Sequence, residues 1–381
     1  MRLLLCCCLI IVFAGCKEKY EPPVSSPGVG YLVIEGIISA QGPAEIHLSR
    51  TIPLPDSARA TDERNALVQL EGTDGSKNVL VESGLGVYKH AMLNLNSSHQ
   101  YRLFIRTRDG KDYASDFVKV RNAPPIDSVS WVRENDGVRI YINTHDPQNN
   151  TWYYRWETDE TWEFHSNYYT SLTFNIIPTT GEIKGVKYRR PDRQPDESLF
   201  TCWQNEKSTK LLLGSSAKLS EDIIHLPLIY IPKPSWKLGV LYSILIKQYT
   251  LTRNEYEFLE KMKRNSEETG SIFDRQPSEL KGNVRCLSKP EEPVIGFIGI
   301  ANRYEKRIFI KRSEVPGWGY FMSCEYREIP SDSAEFYPNW APIAPAEFAP
   351  NGITITKYTA SEWVCVDCTT RGTNVKPTFW P

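Results

Sequence analysis

Cys365 and Cys368, in the run Cys365-Val-Asp-Cys368, are the closest pair of cysteines in the second half of this 381-residue sequence. Their spacing suits a zinc half-site, a redox pair or two half-cystines. Zinc needs a second ligand pair, whereas Cys202, Cys286 and Cys324 stand singly. A redox pair needs a βαβ context, and the flanking sequence is β-rich. In an oxidising compartment disulfides are the default. Cys202, Cys286, Cys324, Cys365 and Cys368 are therefore the disulfide candidates. Their connectivity stays open, and an odd number leaves at least one thiol over.

Other chemistry is sparse. The six histidines are His47, His90, His99, His145, His165 and His225, none in an H-E-x-x-H pattern. There is no G-x-S-x-G elbow and no Walker loop. The Asp146-Pro147-Gln148-Asn149-Asn150 loop offers oxygens to a calcium ion, but with one carboxylate it reads first as a turn. The expectation is a chain with no catalytic residues, no metal site and no cofactor. Lys plus Arg number 45 against 46 Asp plus Glu, so net charge −1 gives no electrostatic case for nucleic acid.

The most aromatic stretch is TWYYRWETDETWEFHSNYYTSLTFNI, from Thr151. In a strand, Trp152, Tyr154 and Trp156 share one face, which reads as core. Trp162, Phe164, Tyr168 and Tyr169 are less regular and lie among polar residues. They are the candidate contact residues for a ligand or partner.

The compartment is read from MRLLLCCCLIIVFAGC. Arg2 precedes an apolar stretch too short to span a bilayer, followed by Ala14-Gly15-Cys16. This resembles a bacterial lipoprotein signal, which implies that residues 1–15 are removed and Cys16 is acylated, with palmitate among the acyl chains. Residues 16–30 then read as a polar, proline-stiffened tether.

These residues must be positioned by a mainly β chain. Short strands with Asp74-Gly75 and Asp109-Gly110 turn signals predict an N-terminal β-sandwich over 31–122. Its "G-x-Y … Y-x-L-x-I … dG-x-x-Y" run resembles the transthyretin-like, carboxypeptidase-regulatory type. Asn122-Ala123-Pro124-Pro125 reads as a linker. A larger sandwich of immunoglobulin/fibronectin-III type is expected within 123–381, with a polar excursion at 180–210 and a buried central strand at LYSILIKQYTL. Thr252-Arg253-Asn254-Glu255 fits a capping box, so one helix over 253–268 is expected against that second sandwich. The tail is expected to be stapled to it, with Phe379 and Trp380 as an apolar plug.

Taken in order, LVIEGIIS, IHLSRT, PPIDSV, DPQNNTWYYRWE, QYTLTRNEYEFLEKM, GSIFDRQPSELKGNV, VIGFIGIANRYEKRIFI and CVDCTTRGTNVKPTFW resemble the Bacteroidetes lipoproteins grouped as domain of unknown function 4249. Gly372 stands alone where that pattern has a glycine pair. The resemblance implies an outer-membrane lipoprotein, with the cell exterior as the expected side and a TonB-dependent receptor as the expected partner. It implies no reaction. The function expected is that of a non-catalytic accessory binding protein. An independent glycan- or peptide-binding module is the alternative, and an envelope enzyme ranks third.

Overall fold

The structure is a computed structural model that describes residues 30–52, 61–267 and 281–381. The signal segment 1–15, Cys16 and nearly all of the tether lie outside the described residues. The chain is mainly β, and its sheets pack as sandwiches.

The first sheet begins with Leu32–Ser39 antiparallel to Gln41–Arg50, in register at Ile34↔Leu48. Lys77–Gly84 pairs through its first half with Leu67–Gly72 and through its second half with Val87–Asn94. One strand thus feeds both layers. Gln100–Arg106 follows the expected alternation, with Tyr101, Leu103 and Ile105 buried among Leu32, Ile46 and Tyr88. Gly75 and Gly110 take φ of 82° and 84°, the left-handed conformation that the two predicted turns require.

The sequence reading assigned everything after residue 122 to the second unit. Part of that stretch returns to the first sheet. Val284–Cys286 pairs with Asp112–Ser115, while Val294–Gly296 and Ile300–Ala301 run parallel to Leu32–Ser39. Parallel pairing demands a long crossover, which no local pattern announces. The returning segment is pinned by Glu292, which accepts from Lys111 Nζ and Tyr113 OH, each at 2.7 Å.

The second sandwich packs Ile126–Arg133, Gly137–His145 and Ile223–Pro232 against a sheet ordered Thr201–Lys207, Tyr153–His165, Leu241–Thr250, Tyr304–Lys311. Leu241–Thr250 is the buried central strand that its apolar run predicts. Residues 180–210 are not an excursion. Ile183–Tyr188 forms a hairpin with Leu172–Ile176, and Thr201–Lys207 is an edge strand of the second sandwich. The hairpin covers a further small sheet, Arg327–Pro330, Ile355–Glu362 and Trp340–Phe348, around Leu172, Phe174, Ile329 and Tyr358.

The helix spans Arg253–Glu267, with Glu255 N–H donating to Thr252 Oγ1 at 3.1 Å and Thr252 N–H donating to Glu255 Oε2 at 3.4 Å. Its apolar face meets Tyr153, Leu211 and Leu213 of the second sandwich but also Ile295 and Phe297 of the returning segment. It is a wedge between the two units rather than a lid on one.

Candidate functional site

The chain after residue 366 wraps around the edge strand Thr201–Lys207. On the core side Cys368 is bonded to Cys202, and both are fully buried. Arg371 then lies over the rings of Phe164 and Trp236, at 4.7 and 5.6 Å. At the edge itself Trp203 N–H donates to the Thr373 carbonyl at 2.8 Å, and Thr373 N–H donates back at 2.9 Å. On the outer face Trp380 is buried against Trp203 and Phe309, and its Nε1 donates to Glu163 at 2.9 Å. We call residues 368–380 the strap. Gly372 is required where it turns the edge. A Cβ there would lie 2.5 Å from the Trp203 carbonyl oxygen and 2.9 Å from the Phe164 ring. The predicted apolar plug is therefore Trp380, while Phe379 stays 40% exposed.

The strap leaves Thr201–Lys207 after that single bridge, and a cleft of about 540 Å³ opens there. Trp203, Phe379 and Pro377 give it apolar walls, and Thr161, Asn205 and Arg371 give it polar ones. Asn205 is held by its own side chain. Its Nδ2 donates to the Glu160 carbonyl at 2.9 Å and to Thr161 Oγ1 at 3.1 Å, and also to Asp159. Beneath Phe379 the Arg307 guanidinium sits 3.5 Å from the ring centroid.

The aromatic contact residues expected from sequence divide. Trp162 and Phe164 are core, at 3% and 2% exposure, and this corrects the sequence reading. The strand Tyr153–His165 is thirteen residues long and never changes parity, so Trp162 and Phe164 point the same way as Tyr154 and Trp156. Both pack on Trp236 at 5.3 and 4.9 Å. Tyr168 is half-buried beside Tyr326. Only Tyr169 is exposed, stacked on Phe200 with centroids 3.6 Å apart. The structure therefore does not bring the four together, and the strap cleft lies on residues that sequence reasoning did not single out as contacts. The signal available was Trp203 in an edge strand near a tail ending in Phe379-Trp380.

Cys365 and Cys368 do not bond each other. Cys365 pairs with Cys324, Cys368 with Cys202, and Cys286 is a buried free thiol. The Asp146 loop is a turn in which Asp146 accepts from the backbone of Gln148 and Asn150, each at 3.0 Å.

Two carboxyls titrate high, and each is engaged structurally. Burial pushes Asp222 up, and it accepts from Tyr154 OH and Ser216 Oγ inside the second sandwich. Burial pushes Glu255 up to about 7. Its carboxylate lies against Gly299, where a Cβ would stand 2.2 Å from Oε1. Arg121 and Arg155 face it and act in the opposite direction. Unfolded, Glu255 would titrate near 4.5. Below that value both states are protonated, and the group contributes nothing to pH dependence. Between there and about 7 the unfolded chain loses its proton first, so stability falls as pH rises. Glu255→Gln preserves the capping box. It should raise the unfolding free energy by about 1–3 kcal/mol at pH near 8 and leave it nearly unchanged at pH near 4. Denaturant titrations at the two pH values test this, and an equal offset at both would contradict it.

A family model described as "Domain of unknown function (DUF4249)" matches residues 17–307. The chain belongs to this family. The DUF4249 match takes in the first sheet, the helix and the second sandwich up to the middle of Tyr304–Lys311, and stops short of the strap. No curated protein matches the chain. Among solved structures, a protein from Bacteroides uniformis ATCC 8492 described as a "putative carbohydrate binding protein" aligns at 9% identity, over 60% of this chain and 93% of its own, with a TM-score of 0.16. Chitinase ChiA74 from Bacillus thuringiensis aligns at 12% identity over 54% of this chain and 30% of its own, also at 0.16. Scores this low carry no argument about fold or ligand.

Proposed function

We propose that this DUF4249 chain is a non-catalytic binding protein. It is anchored in the outer membrane by a lipid on Cys16, faces the cell exterior, and works beside a TonB-dependent transporter. The strap cleft is the observation that carries the binding part of this reading. It is a concave, aromatic-walled site with an oriented amide at its rim, which is the composition of a ligand site. The engagement of Asp222 and Glu255 in structural bonds supports a non-catalytic role. The lipid anchor is supported by the Ala14-Gly15-Cys16 sequence, and the transporter by the family resemblance. The cleft equally favours a second reading, an independent glycan- or peptide-binding module.

Affinity capture of the tagged full-length chain from detergent-solubilised outer membrane tests the first reading. The wild type should incorporate a palmitate label and co-purify a TonB-dependent receptor. Cys16→Ala should lose the label and leave the membrane fraction. Labelled protein that is repeatedly recovered without a receptor would favour the independent module, and an unlabelled wild type would remove the anchor.

A further inference from the structure

We propose that the end of the first sandwich where the tether enters is a membrane-contact face, seated on anionic lipid headgroups. This rests on the lipid-anchor reading above and adds how the anchored chain stands on its membrane. Strand direction defines the face. Leu32–Ser39 begins there, Gln41–Arg50 and Gln100–Arg106 end there, and the turn Gly84-Leu85-Gly86 lies beside them. The segment from Leu287 to Glu292 crosses the same end, between Val284–Cys286 and Val294–Gly296. The entry point is pinned. Arg50 Nη1 donates to the Gly30 carbonyl at 3.3 Å and its Nε donates to Glu63 at 2.6 Å. Tyr31 N–H donates to Thr51 Oγ1 at 2.9 Å, and Thr51 N–H donates back to the Tyr31 carbonyl at 3.0 Å. At the opposite end of the same strands Ile37 and Pro43 face Arg155 and Lys247 of the second sandwich across a cleft. The tether thus joins the end turned away from the second unit.

The tips on this face are apolar. Leu85 and Leu287 are 62% and 52% exposed, and Tyr31 and Ile52, beside the tether entry, are exposed as well. Leu85 takes φ of 50°, a left-handed conformation that a leucine adopts only at a cost and that Gly, Asn or Asp occupies more readily. Its side chain buries little in return. A strained, exposed apolar residue at a turn tip points to a surface outside the chain.

The free charges around these tips are mainly basic. Arg64, Arg108 and Lys289 are exposed and make no ion pair among the described residues. The acidic groups nearby are engaged: Glu63 by Arg50, Glu82 by the Asn65 N–H, Asp112 by Arg106 and Glu292 by Lys111. Glu291 is the exception among the described residues. Apolar tips set among free cations match a bilayer interface that carries anionic headgroups. Residues 16–29 reach about 50 Å at full extension. An acyl chain on Cys16 therefore keeps this end close to the bilayer, and at the effective concentration of a short link a weak contact is enough.

Fluorescence quenching on vesicles tests this without relying on native acylation. The mature chain after Cys16, with an N-terminal hexahistidine tag, is held by a nickel-chelating lipid on vesicles of equal parts phosphatidylcholine and phosphatidylglycerol. Lipid with a doxyl label on its acyl chain is the quencher. A nitrobenzoxadiazole probe is attached at Pro290→Cys on the face, or at Ser98→Cys in a turn at the opposite end. Cys286 is buried, which leaves the introduced thiol to react. The probe at position 290 should be quenched at least about fivefold more than the probe at 98. Leu85→Asn with Leu287→Asp should bring it down to the level at 98, and so should Arg108→Glu with Lys289→Glu. Leu85→Asn suits the left-handed turn, so alone it should hold or raise the unfolding midpoint. A lowered midpoint would make Leu85 a structural residue and count against the proposal. Equal quenching at the two positions, none at 290, or quenching at 290 that survives both pairs of substitutions would each overturn it. Circular dichroism identifies any variant that has failed to fold, and the charge pair, exposed and unpaired, carries the test if Leu287→Asp does. Because the tag stands in for the acyl chain, a wild type that takes up no palmitate removes the native anchor alone. A palmitate-labelled chain whose probe at 290 is not quenched keeps the anchor and removes only the contact face.

Discussion

Cys202→Ser combined with Cys368→Ser should cost the protein about 4–5 kcal/mol of stability. The bridge joins residues 166 apart in sequence, so it removes a large share of the unfolded chain's freedom. Cys324–Cys365 closes a span of 41 and should contribute about 1 kcal/mol less. The outer bridge has a second effect. Cys368 is where the strap enters the core, and past it the strap is held by the backbone bridge at Trp203, by Arg371 and Asn374 donating to the His165 and Ser198 carbonyls, and by Trp380. Without the bond the strap should peel from the edge strand, exposing Trp380 and opening the cleft. Denaturant titration followed by tryptophan fluorescence measures both effects. An unchanged midpoint with unchanged native tryptophan emission would show that packing alone holds the strap.

Trp162→Ala should cost about 3–5 kcal/mol, while Tyr169→Ala should stay within about 0.5 kcal/mol. Trp162 packs edge-on against Trp236, which Phe164 also meets, in the second core and carries the Lys237 ammonium 4.9 Å from its ring. That ammonium also pairs with buried Glu160 at 3.0 Å, which accepts from Tyr242 OH at 2.7 Å. Removing the indole leaves a cavity beside a buried ion pair, so the effect belongs at the upper end of the range. Equal destabilisation by the two substitutions would contradict the burial difference between them.

The residues near Trp162 show what sequence conveyed and what it withheld. Alternation was legible in Tyr101, Leu103 and Ile105 and in the Tyr154–Trp156 pair, because period two is a local property. The capping box at Thr252 and Glu255 was legible for the same reason. The reading failed at Trp162 because Thr158, Glu160 and Thr161 look like the outside of a sheet. Glu160 faces inward only because Lys237 and Tyr242, about eighty residues on, satisfy it. The return of residues 284–301 to the first sheet was hidden likewise, since a parallel crossover leaves no mark within its own strands. The cleft was hardest to foresee. It arises where the strap parts from an edge strand, and its walls come from Thr161, Asn205 and Phe379, far apart in sequence.

The buried free thiol of Cys286 bears on how the two bridges find their partners. Neither bridge can close before Cys365 and Cys368 have been synthesised. Until then Cys202, Cys286 and Cys324 have no native partner among themselves, and any two of them can pair wrongly. Thiol–disulfide exchange needs access to the attacking sulfur. Once Val284–Cys286 adds to Asp112–Ser115, Cys286 is 2% exposed and withdrawn from that competition. Two thiols then remain for two late arrivals. A three-residue strand in one sheet thus keeps the unpaired thiol of the folded chain out of exchange with the bridges of another.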